Sequence, residues 1–194
     1  LEVIHWTIDH ILNKPEYQVP VSSILSHFYR SISDLEKFID SKKLIPKNIS
    51  KRIKLAFAPA YIQSGSPVSL FDYHPKKFNS EIQYYIQGNE DVDGLFPLTL
   101  HEIDLMNARQ IIPGRSIQIA HAQQYPSQIR YIFPDPVTSS GWTIYAMQVL
   151  VNEEFENWDT EHHILNLKAE IMLICQTIIE KMYYSGKMDR KDAL

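Results

Sequence analysis

Between Asp159 and Tyr184, the residues Ile164, Leu167, Ile171, Ile174, Cys175, Ile178 and Met182 recur at three- and four-residue steps. That spacing places all seven on one side of an α-helix, and no other stretch constrains the fold as strongly. Asp159 or Thr160 can cap the first turn, and Glu161 adds negative charge where the helix dipole favours it. Lys181 lies near the far end, and Ser185-Gly186 provides a stop, because glycine can take the left-handed conformation that closes a helix. Seven such side chains, at about 1.5–3 kcal/mol each on burial, predict that helix 159–185 forms a large part of the core. Cys175 is expected to be buried and unreactive within it.

The N-terminal third reads as helical. Ile4, Ile8, Ile11 and Leu12 share one face of a helix over residues 2–13, which ends at Lys14-Pro15 because proline disfavours helix in the residue before it. Pro20 suits a first helical position, and Val21, Ile24, Leu25 and Phe28 follow at helical spacing to about Tyr29. Ser33 and Glu36 match a reciprocal capping box and predict a third helix to Ser41, with Leu35, Phe38 and Ile39 inward. Residues 1–45 are therefore expected to be a helical subdomain, and 46–194 an α+β domain.

Strand patterns begin at Arg52, where Ile53, Leu55 and Phe57 alternate with Arg52, Lys54 and Ala56. Pro67–Tyr73 is a second candidate. In Glu81–Gln87, Ile82, Tyr84 and Ile86 alternate with more polar residues, the pattern of a sheet with one dry and one wet face. An acidic loop is expected over Gly88–Gly94, and Thr99 with Glu102 predicts a short helix over 100–109. Three further strands are expected at Ser116–Gln124, Gln128–Phe133 and Trp142–Val151. Their short connections favour an antiparallel meander over 116–151, since parallel strands need a crossover of a dozen or more residues. The fold class is thus α+β, with a helical N-terminal part and an antiparallel sheet packed on the long C-terminal helix.

The Trp142–Val151 stretch is apolar on both alternating faces, so both need cover. The C-terminal helix can cover one, leaving the N-terminal helices or a second protein for the other. Trp142, Ile144 and Gln148, all on one of these faces, are the candidate partner-binding residues.

Chemistry is harder to find. His101, Glu102 and Asp104, and separately Glu161-His162-His163, lack a complete metal-ligand set, and the zinc-protease pair of histidines four apart flanking a glutamate is absent. There is no Gly-x-Ser-x-Gly elbow, and with six glycines there is no phosphate-cradling loop. Pro134-Asp135 lacks the acid and lysine of a nuclease metal motif and reads as a turn. No catalytic residue, cofactor or metal is expected.

Charge is uneven. Residues 28–54 hold eight Lys or Arg against three acids, while residues 81–105 hold six acids and no Lys or Arg. Nucleic acid is an unexpected partner even so: Asp34, Glu36 and Asp40 would place acids where a recognition helix meets phosphates. No run is long and apolar enough to span a membrane, and the single cysteine points to a reducing, cytoplasmic setting. These features predict a non-catalytic protein–protein interaction subunit, an adaptor or chaperone-like component of a larger assembly. The alternatives are a small-molecule-sensing regulatory domain, with Tyr131, Trp142 and Tyr145 near a pocket between sheet and helix, and an enzyme without a recognisable motif.

Overall fold

The computed structural model describes residues 2–47, 53–59, 70–72, 82–86, 98–124, 129, 133 and 135–193. The chain forms two compact units, Leu1–Phe155 and Glu156–Leu194. Residues 1–45 lie inside the first of them.

Helix α1 (Glu2–Leu12) is followed by two single 3-10 turns, Pro15–Tyr17 and Val21–Ser23. Helix α2 (Ile24–Lys42) is one continuous helix where the sequence suggests two. Neither glycine nor proline interrupts it, and its buried positions Ile24, Phe28, Ser31, Ile32, Leu35 and Ile39 form an unbroken seam at helical spacing. A continuous packing face outweighs the local cap that Ser33 and Glu36 could have made, since an N-cap contributes only about 1 kcal/mol. The helix closes at Lys43, whose φ is +56°, with Leu44 N donating to Ile39 O at 3.1 Å.

Strands β1 (Ile53–Phe57), β2 (Leu70–Asp72) and β3 (Ile82–Ile86) form a small sheet in the order β1-β3-β2. β1 runs parallel to β3 with Ile53 opposite Ile82, and β2 runs antiparallel to β3 with Leu70 opposite Tyr85. The central strand is dry on both sides, because Tyr84, Tyr85 and Ile86 are all buried. The expected wet face is therefore absent at these positions. Most of Pro67–Tyr73, and all of the Gly88–Gly94 loop, lie outside the described residues.

Helix α3 (Leu100–Gln110) starts at the capping box the sequence announces. Glu102 N donates to Thr99 Oγ1 at 3.2 Å, and Thr99 N donates to Glu102 Oε2 at 2.9 Å. Helices α4 (Arg115–Gln123) and α5 (Pro136–Asn152) follow among the described residues of the unit.

These last two helices overturn the antiparallel meander. All of Ser116–Gln124 but its last residue, and all of Trp142–Val151, are helical, and in the expected strand Gln128–Phe133 only Ile129 and Phe133 are described, joined by a helix-like bond from Phe133 N to Ile129 O at 2.9 Å. Among the described residues the protein is mostly helical, with one small mixed sheet. The cause is visible in α5: its buried residues Ser139, Thr143, Ala146, Met147 and Leu150 step by three and four. Read with period two, those residues scatter over both faces of a strand, which is why both faces looked apolar.

The second unit contains α6 (Thr160–Tyr184) and the short α7 (Arg190–Ala193). Here the predicted boundaries agree with the structure. His162 N donates to Asp159 Oδ1 at 3.1 Å, and Gly186 takes φ +70° past the C-terminus.

Candidate interaction surface

Helix α6 does not bury its apolar stripe. Its only buried residues are His162, Leu165 and Asn166, all within its first two turns. Leu167, Ile171, Met172, Ile174 and Ile178 are each more than half exposed, and Cys175 is exposed among them. The expectation that this helix is the core, with Cys175 sealed inside it, is corrected. The periodicity fixed the helix and its apolar face correctly; periodicity says nothing about what covers that face.

The geometry separates two halves of α6. At 3.6 residues per turn the apolar side chains occupy about half of the circumference. Away from them the helix is knitted by polar pairs one turn apart. Asn166 Nδ2 donates to Glu170 Oε1 at 3.2 Å, Gln176 Nε2 to Glu180 Oε1 at 2.9 Å, and Thr177 Oγ1 to Leu173 O at 2.8 Å. One half therefore satisfies its own polar groups, and the other presents Ile, Leu and Met to solvent. A second exposed apolar group lies on α1, where Val3, Ile4 and Trp6 face outward and Trp6 stacks on His10 at 5.1 Å between ring centroids.

The residues first singled out for partner binding behave differently. Trp142, Ile144 and Gln148 lie on helix α5, where 100° per residue turns Trp142 away from the other two. Trp142 is partly buried, and its Nε1 donates to Pro113 O at 3.1 Å and to Gly114 O at 3.0 Å. It is a clamp on the α3–α4 elbow. Ile144 is partly buried; Gln148 is exposed, its Nε2 donating to Asn152 Oδ1 at 3.0 Å. The pocket expected near Tyr131, Trp142 and Tyr145 has no strand at 142–151 to wall it. Trp142 and Tyr145 are neighbours on α5, with ring centroids 5.8 Å apart, and Tyr131 lies outside the described residues.

That elbow is closely packed. The peptide bond Ile112–Pro113 is cis, and Ile111, Ile112, Pro113 and Gly114 are all buried. A Cβ on Gly114 would stand 1.9 Å from Arg109 O and 2.6 Å from Ala108 O, so only glycine lets α4 leave so close to the end of α3. Ser116 Oγ donates to Ile111 O across the turn.

The histidines named in the sequence lie in the first turns of two helices. His101 is buried in the first turn of α3, edge-on to Tyr17 at 4.4 Å. His162 completes the capping box of α6, its Nδ1 lying 2.7 Å from Asp159 Oδ1, and its ring stacks on Trp158 at 6.0 Å. His163 meets the same indole edge-on at 6.3 Å. Asp135 is the N-cap of α5, with Thr138 N donating to Oδ2 at 2.8 Å and Thr138 Oγ1 at 2.6 Å. These bonds, the hydroxyl's first, hold its carboxyl below the ordinary aspartate range. Among the described residues no helix is long and apolar enough to cross a membrane.

A solved structure, that of a candidate lipoprotein from Colwellia psychrerythraea, superposes on 98% of this chain with a TM-score of 0.80 and 16% sequence identity. At that identity the likeness concerns the fold. The match takes in 33% of the Colwellia chain, so the present chain spans about a third of that protein's length. The curated proteins contain no match. Residues 3–194 match a family described as bacterial protein of unknown function, DUF885, and the chain belongs to that family.

Proposed function

We propose that this chain is a non-catalytic interaction subunit, a component of a larger assembly that docks on another polypeptide through the apolar half of α6. The observation that carries the reading is the exposed row Leu167, Ile171, Ile174 and Ile178 on a helix whose opposite side is already satisfied. Contiguous apolar surface of this kind is uncommon on monomers and marks sites of association. An amphipathic helix gains most of its stability from packing its apolar face, so an uncovered one is incomplete. The partner-binding role moves with it, from Trp142, Ile144 and Gln148 on α5 to α6.

The test uses single charged substitutions, Ile171→Glu and Ile174→Glu, introduced into the protein in its native host. Both sites are exposed, so each variant should unfold within about 0.5 kcal/mol of the parent. Complexes are then compared by gel filtration and native mass measurement. Loss of the larger species with melting unchanged supports docking through α6. A complex that survives both substitutions, or a chain that runs only as a free monomer before substitution, rejects it.

A further inference from the structure

We draw no further inference here: the strongest candidate, the exposed apolar half of α6 from Leu167 to Ile178, already carries the docking role proposed above, and nothing in the structure shows what covers it.

Discussion

Asn107 Nδ2 donates to the carbonyl oxygen of Phe28 at 3.1 Å, a bond between α3 and α2 across 79 residues of sequence. Asn107 is fully buried, and Phe28 is buried within the seam of α2. A polar side chain thus fixes where two helices cross inside an apolar core, which shape alone specifies less sharply. Among the described residues its Oδ1 has no hydrogen-bond partner, so the amide carries an unmet acceptor as well.

Asn107→Ala should destabilise the protein by about 1–3 kcal/mol, the range for losing a buried hydrogen bond and leaving a small void. Asn107→Leu removes the unmet acceptor together with the donor and should cost less than the alanine if volume is retained. Urea unfolding of the three proteins measures the order. An alanine variant as stable as the parent would show that the crossing is held by packing alone.

Gly114 should accept no side chain. A methyl group there meets backbone carbonyls of α3 and not the flexible end of a neighbour, so the elbow itself has to move. Gly114→Ala is expected to cost about 3 kcal/mol or more, at the upper end of overpacking effects. Trp142→Phe keeps an aromatic ring against the elbow but removes the donor to Pro113 and Gly114. It should cost about 1–3 kcal/mol for a carbonyl left short of its partner. Equal stability of both variants and the parent would mean that the elbow is not a point of constraint.

How much of this was legible beforehand differs by kind of feature. Three caps were: Thr99 with Glu102, Asp159, and Gly186 act within a few residues, whereas the Ser33–Glu36 box falls inside the continuous helix α2 and starts nothing. The helix-versus-strand choice at 116–151 was not, because short apolar runs satisfy both periods and the deciding contacts, such as Trp142 with Gly114, are distant in sequence. The candidate site was half legible. The stripe from Ile164 to Met182 is plain in the chain, but burial depends on what packs against it, and the sequence offered no way to know that Cys175 would be exposed.

Asp135 provides a pH-dependent measurement. Its carboxylate accepts from the Thr138 hydroxyl and backbone amide, which lowers its pKa below the ordinary value. A depressed folded-state pKa means that the cap's contribution is present above the unfolded value and is lost as pH falls through the folded one. Thr138→Val removes the hydroxyl, the larger cause, and should move the Asp135 titration upward toward the ordinary aspartate range. Carboxyl-carbon NMR titration of parent and variant reads this directly, and an unmoved midpoint would assign the shift to the backbone amide.

Cys175 reports on the covered state of α6 without any new residue. It is the single cysteine of the chain, and it stands exposed beside Ile171, Ile174 and Ile178. A helix-borne thiol open to solvent should be labelled by a neutral maleimide in the native chain without prior denaturation, since the reagent can reach it. Slow labelling of the isolated native chain, fast only after denaturation, would mean that the stripe is buried after all and would remove the basis for docking there. In the assembled complex the prediction reverses: the partner should cover the thiol, and labelling should slow until the complex is dissociated. Ile174→Glu, which is expected to break the complex, should restore fast labelling at matched protein concentration. Protection that persists in this variant would place the cover on Cys175 somewhere other than the apolar half of α6.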